Sequence, residues 1–293
     1  MRVDIYILPN RPWPATVERV RRAEVMGFGC AWIPDHFANG LRPQDDWFEA
    51  WSTLGGLAAA TERIRLGTLV SSITLRNPSL LASAAMTLDH VSGGRFELGI
   101  GAAGSSTDHA MTGIPERTDA ERAERLEEAV AIVRDLLTDG RSEAHGPRYP
   151  IEHARLRPRP VQEPRPPITV AALGERSMRL AASIADAWNT QPMVAGGGFG
   201  RILSGEEEVA LLRERTAFVD RACEELGRDP ATLRRSYLLL GTYRRGPGEP
   251  EAFLRRAEAL HDAGARELIV YWPETRPAEA DLERVAAEAL PQL

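Results

Sequence analysis

The feature that most constrains this chain is a repeated alternation of short apolar runs with helix-length amphipathic segments. It is clearest over residues 63–104, RIRLGTLVSSITLRNPSLLASAAMTLDHVSGGRFELGIGAAG. Two strand-like runs, 64–70 and 96–100, are joined there by a helix-length segment starting at Pro78, and each run opens into small polar residues or glycine. Parallel strands need a crossover of about a dozen residues or more, which a helix supplies. The stretch therefore predicts a strand, a crossover helix and a second strand, with a binding surface at the strand ends.

The same unit recurs along the chain. Strands are expected at 3–8, 30–34, 64–70, 96–100, 168–171, 187–189, 233–242 and 267–271. Helices are expected at 16–26 (closed by Gly27), 48–60, 78–91, 120–138, 177–184, 206–226, 250–263 and 281–290. Two stretches break the rhythm. Residues 141–167 hold seven prolines and read as an insertion with a hairpin around Gly146, and 191–204, with glycines at 196, 197, 198 and 200, reads as a lid over a site. Eight strand and helix units with right-handed crossovers predict a single (β/α)8 TIM barrel over residues 1–293, with insertions at about 141–167 and 191–204. The rival is an open doubly wound sheet, but no GxGxxG opens the first helix.

Composition narrows the chemistry. All 36 cationic residues are arginine, which excludes a Schiff-base lysine and a lysine-bearing phosphate loop. The net charge of −6 is interleaved rather than blocked, so no nucleic-acid partner is expected and a small-molecule partner is. No apolar run approaches the roughly 18 residues that span a bilayer, so no membrane association is expected. Cys30 and Cys223 stand far apart outside any CxxC, which fits a reducing cytoplasm, and the six histidines show no close pairing that would hold a metal.

In a barrel of this type the site lies at the carboxyl ends of the strands, and four segments qualify. After the second strand come Asp35 and His36, an acid beside a histidine, able either to move a proton near neutral pH or to serve structure. After the third, Ser71, Ser72 and Thr74 would let backbone approach a flat ring and Arg76 could hold an acid; alternatively Asn77 before Pro78 simply caps the next helix. After the fourth, Gly99, Gly101 and Gly104 bracket small residues and lead into Ser105, Asp108 and His109, a loop that could present amides to a ligand. After the fifth, Ala171, Ala172, Gly174, Arg176 and Ser177 enter a helix whose N-terminus is suited to an anion. Together these favour a phosphorylated cofactor.

The runs WFEAWSTLGGLAAATERIRLGTLVSSITLRNPSLLASAAMTLDHVSGGRFELGIGAA, RLEEAVAIVRDLLTDG and VAALGERSMRLAASIADAWN make the chain resemble the luciferase-like flavin and deazaflavin oxidoreductases. The likeness covers roughly residues 1–190 and is nearest to the coenzyme F420-dependent branch, in which a strand ending in a DH pair follows the first helix. It implies a luciferase-like TIM barrel, usually a homodimer, holding deazaflavin or FMN at its mouth. It further implies a bulge with a cis non-proline peptide within Leu69, Val70, Ser71 and Ser72, with Gly101, Ala102 and Ala103 flanking the cofactor and His109 nearby. Ala171, Ala172, Gly174, Arg176 and Ser177 would meet its phosphate.

The departures matter as much. Deazaflavin-dependent sugar-phosphate dehydrogenases of this superfamily carry an acid after the fourth strand and lysines for the substrate phosphate. Here Gly104 stands near that position, no acid precedes Asp108, and lysine is absent. Closer relatives place bulky aromatics where Gly104 and Ser105 stand, so the resemblance implies an enlarged pocket and no transferable substrate. The expected function is an oxidoreductase in which reduced F420 passes hydride to or from a small organic substrate, with His36 as proton donor or acceptor. An FMN-dependent monooxygenase using reduced flavin and oxygen is the alternative, and a silent flavin-binding paralogue a third reading; a separate flavin or F420 reductase is left open.

Overall fold

In the structure, a computed structural model, residues 1–40, 42–102, 105–143, 146–194 and 201–293 are described. Ala103, Gly104 and the glycines at 196, 197, 198 and 200 lie outside that set. Eight parallel strands close into a barrel: β1 (Arg2–Tyr6), β2 (Cys30–Asp35), β3 (Arg65–Ser72), β4 (Phe96–Gly101), β5 (Ile168–Ala171), β6 (Ala187–Thr190), β7 (Arg234–Leu239) and β8 (Glu267–Tyr271). Each strand lies beside its sequence neighbours, and β1 lies beside β8. The expected (β/α)8 barrel is therefore the observed fold, and the open doubly wound sheet is excluded.

The contacts divide the chain into two compact units. The first comprises Met1–Ile7, Arg21–Ala31 and Ala172–Leu293. Within it β1 pairs with β8 from Arg2↔Glu267 to Tyr6↔Tyr271, β7 with β8 from Ser236↔Glu267, and β7 with β6 from Arg234↔Ala187. The starts of these strands carry buried acids held by arginine: Arg2 reaches Asp4 at 2.8 Å, and Arg234 reaches Glu267 at 2.7 Å. Helices α6 (Glu175–Ile184), α7 (Glu206–Glu225), α8 (Thr242–Arg245), α9 (Pro250–Asp262) and α10 (Arg276–Glu288) belong to this unit. The expected strand over 233–242 stops at Leu239 because Gly241 and Thr242 start the short helix α8. The last helix begins five residues before its expected start, since Pro277 occupies its first turn, where a missing N–H costs nothing.

The second unit comprises Leu8–Val20 and Trp32–Ala171. It holds α2 (Ala50–Ala60), α3 (Pro78–Val91), α4 (Ser106–Thr112) and α5 (Asp119–Asp139), while α1 (Trp13–Met26) contributes to both units. Asn77 caps α3 by accepting from the Ser79 amide at 2.9 Å, with Pro78 in the first turn. Leu126, Val130, Val133 and Leu137, the apolar positions at helical spacing, are buried on α5. The stretch after β4, expected as loop, is the helix α4; Ser105 and Asp108 form a capping box that starts it. In the first insertion Arg141–Ser142 pairs antiparallel with Ala154–Arg155, a wider hairpin than one centred tightly on Gly146.

Strands β3 and β4 run in register from Leu66↔Phe96 to Thr68↔Leu98 and resume at Ser71↔Ile100. The two residues between form a bulge, and the Leu69–Val70 peptide within it is cis. Glycine in β4 makes room for the bulge. A Cβ at Gly99 would lie 2.1 Å from the Thr68 carbonyl oxygen, and one at Gly101 would lie 2.5 Å from Val70 Cγ2. These glycines, read from sequence as room for a ligand, thus also serve strand packing. Gly99→Ala is expected to cost about 1–3 kcal/mol of stability, the usual range for overpacking, as a lower urea midpoint; an unchanged midpoint would show that the bulge does not depend on that glycine.

Candidate functional site

The second unit assembles most of the expected residues at the ends of β2, β3 and β4, and it uses Asp35 and His36 separately. Successive side chains of extended backbone point to opposite sides, so the two neighbours diverge. Asp35, only 3% exposed, is gripped by Arg76: Nε donates to Oδ2 at 2.7 Å and Nη2 to Oδ1 at 2.6 Å. The Ser71 hydroxyl donates to Oδ2 at 2.8 Å, and Trp51 Nε1 donates to the same oxygen at 3.0 Å. Arg76 also reaches Glu49 at 2.6 Å and lies over the Trp51 ring, 5.9 Å from its centroid.

Glu49 is itself a helix cap. It accepts from the Trp51 and Ser52 amides at 3.1 and 2.7 Å, which starts α2 and aims Trp51 at Asp35. Burial opposes charge on both Arg76 and Glu49, but hydrogen bonding wins on each: the Arg76 pKa is raised by Asp35 and Glu49, and the Glu49 pKa is lowered by the Ser52 and Trp51 amides and by Arg76. The acid that Arg76 was expected to hold is thus supplied by the protein, and Ser71, fully buried, spends its hydroxyl on the same carboxylate.

His36 turns to Asp108. Its Nδ1 lies 2.7 Å from Asp108 Oδ2, while the Phe37 and Ala38 amides donate to Oδ1 at 2.9 and 3.3 Å. The Ser105 amide donates to Oδ2 at 3.2 Å, completing the capping box of α4. Burial raises the Asp108 pKa, but the hydrogen bond and charge of His36 and the backbone donors outweigh it and bring it down to about 2. An ionised carboxylate only accepts, so Nδ1 carries a proton and Nε2 is the ring nitrogen left to give or take one. Among the described residues Nε2 has no protein partner, and the His36 side chain is 35% exposed while that of Asp108 is fully buried. Trp47 Nε1 donates to the His36 carbonyl at 2.9 Å and steadies the backbone.

A second histidine is closed off. His109 is 4% exposed, with Nδ1 at 3.0 Å from the Ile114 carbonyl and Nε2 at 3.4 Å from Thr74 Oγ1, which lies 2.8 Å from Ser72 Oγ. This chain links the loop after β3 to α4. Gly101 is buried, while Ala102 and Ala171 are half-buried. Trp47, Trp51 and Glu49 were not anticipated, nor was Asp108 as the partner of His36. Ser105-x-x-Asp108, the spacing of a capping box, was the one signal that could have placed a buried carboxylate after β4.

In the first unit, the β5–α6 loop presents an uncapped helix start. Gly174 occupies the N-cap with no side-chain cap bond, and the Ser177 hydroxyl donates back to the Gly174 carbonyl at 2.9 Å. Nothing lies within 4 Å of a Cβ built on Gly174. Ala172 is buried, its N–H donating to the Asn189 carbonyl at 2.9 Å and its carbonyl accepting from Trp188 Nε1 at 3.0 Å; Arg176 is exposed. A helix start with no side-chain cap and with the positive end of its dipole suits a phosphate.

The family model described as luciferase-like monooxygenase matches residues 1–236. An F420-dependent glucose-6-phosphate dehydrogenase of Beutenbergia cavernae is 34% identical over 205 residues, 70% of this chain and 59% of that protein. The chain thus spans about three fifths of the length of the curated relatives it matches. Among solved structures, an F420-dependent secondary alcohol dehydrogenase in complex with an F420-acetone adduct superposes with a TM-score of 0.82 at 17% identity, over 99% of each chain. The coenzyme F420-dependent tetrahydromethanopterin reductase of Methanopyrus kandleri does so with a TM-score of 0.80 at 17% identity, over 99% of this chain and 98% of that one.

Because its folded pKa is depressed, Asp108 contributes stability that is complete above the ordinary carboxylate value of 3.8 and is lost as the pH falls towards about 2. Asp108→Asn is expected to be less stable than the parent at neutral pH, with the gap closing across that window in denaturant titrations. A gap that stays constant down to the lower value would refute the linkage.

Proposed function

This chain belongs to the luciferase-like monooxygenase family, and from that premise we propose that it is an oxidoreductase using the deazaflavin coenzyme F420 for hydride transfer to or from a small organic substrate. The observation that carries this reading is His36, held through Nδ1 by ionised Asp108 with Nε2 free at the end of β2. The F420-dependent relatives support the choice of cofactor over FMN.

The residues present fit such a group. The start of α6, with Gly174, Arg176 and Ser177, would hold its phosphate, and Ala172 would lie beside them. Leu69, Val70, Ser72, Gly101, Ala102 and Ala171 would flank the ring system. When bound, the deazaflavin supplies a two-electron hydride carrier, the part of the chemistry that side chains cannot. His36 Nε2 gives the proton that a substrate oxygen needs as a carbonyl becomes an alcohol, or takes it in the reverse direction. Asp108 keeps the imidazole in one tautomer and stabilises the imidazolium while Nε2 is protonated. Asp35, Arg76, Ser71 and Trp51 hold the end of β2 against the loop after β3, so that His36 is aimed by a rigid base.

We place the protein as a single luciferase-like domain working as a homodimer in a reducing cytoplasm, re-reduced by a separate F420 reductase. Two buried free cysteines support that compartment, and among the described residues no helix is long and apolar enough to cross a membrane.

Titration with F420 and with FMN, followed by absorbance and ring fluorescence, tests the reading: saturable F420 binding is expected, and binding of FMN alone would overturn it in favour of a monooxygenase. His36→Ala should lower turnover on the order of 10²-fold while F420 affinity holds. Unchanged turnover would remove His36 from the proton transfer.

A further inference from the structure

A cavity of about 460 Å³ opens at the C-terminal end of α5, lined by Arg141, Arg155, Arg157, Arg159, Thr138 and Asp139 around Gly140. It lies within the second unit. In a (β/α)8 barrel the C-terminal ends of the helices lie on the face opposite the carboxyl ends of the strands, so this cavity is separate from the His36 site.

Four guanidiniums against one carboxylate stand out in a chain whose net charge is −6. Other arginines of this unit are paired with acids: Arg65 with Glu97 at 2.6 Å, Arg134 with Asp135 at 2.7 Å, Arg148 with Glu124 at 2.7 Å. Among the described residues none of the four cavity guanidiniums has an acidic partner or a hydrogen bond. The fold also sets Arg141 directly opposite Arg155 in the antiparallel ladder, an arrangement in which like charges repel. Arg155, Arg157 and Arg159 follow at every second position and all reach the same cavity.

Helix capping does not account for the cluster. The end of α5 is closed by Gly140, whose N–H donates to the Leu136 carbonyl at 3.0 Å and whose own carbonyl accepts from Leu156 N at 2.9 Å. No cavity arginine donates to these carbonyls. Among the described residues the Thr138 hydroxyl, buried at the cavity wall, has no hydrogen-bond partner. A set of unspent forks, a free hydroxyl and mutual repulsion call for a ligand rich in oxyanions.

We propose that this cavity binds a small anion carrying two adjacent phosphate groups, a pyrophosphate-type ligand. Guanidinium forks match the paired oxygens of phosphate, and four of them supply enough positive charge to balance two linked phosphates. The volume falls in the range of about 300–1,000 Å³ typical of small-molecule sites.

Isothermal titration of the full chain, with the cofactor site saturated by F420, tests the proposal using inorganic pyrophosphate, inorganic phosphate and tetraglutamate as probes. One saturable pyrophosphate site is expected, at least about 10-fold tighter than phosphate, since a charge-assisted hydrogen bond contributes roughly a factor of ten or more. The double substitution R155A/R157A should weaken pyrophosphate binding on the order of 10²-fold and leave F420-dependent turnover and the circular dichroism spectrum unchanged. The substitution R176A, at the start of α6, should leave pyrophosphate binding intact. Absence of saturable binding, equal binding by R155A/R157A, or tetraglutamate binding as tight as pyrophosphate would each overturn the proposal, the last in favour of an acidic peptide.

Discussion

The buried carboxylate of Asp35 is the constraint on which the rest of the site depends. Taking an ionised group out of water is costly unless its oxygens are satisfied, and here donors from three separate segments satisfy them: Arg76 and Ser71 around the loop after β3, and Trp51 from α2. Because Arg76 also binds Glu49, the cap of α2, the same charge network fixes where that helix starts. Breaking one partner would leave another charge buried and unpaired, so these segments keep one relative arrangement. Asp35 therefore works as an anchor for the end of β2.

The next residue, His36, is built for a different task by the same backbone. Asp108 takes four donors: the imidazole, the amides of Phe37 and Ala38, and the amide of Ser105, the last completing the capping box of α4. It thus joins the end of β2 to the helix after β4 while holding one tautomer of the histidine. The contrast with His109, whose two ring nitrogens are both engaged, separates a histidine with a spare proton site from one that only braces.

The fold was largely legible because its code is local. Apolar runs of strand length, Pro78 behind Asn77 and the spacing of Leu126, Val130, Val133 and Leu137 each state an element without reference to the rest of the chain. Errors fell where local signals were ambiguous. Ser105 to Thr112 lacked an apolar stripe and read as loop, although its capping box makes it a helix. Gly99 and Gly101 read only as room for a ligand, and their second role, leaving space for the β3 bulge, carried no local signal.

From sequence alone came the barrel, the family likeness and the importance of Asp35, His36 and Arg76, since periodicity and short motifs survive without coordinates. Only the tertiary structure decided which acid serves which base. Asp35 and His36 are adjacent in the chain, yet alternation along extended backbone sends them to opposite sides, to Arg76 across 41 residues and to Asp108 across 72. Pairing over such separations is set by the order of strands in the sheet, which brings the ends of β2, β3 and β4 together, and no local pattern encodes it.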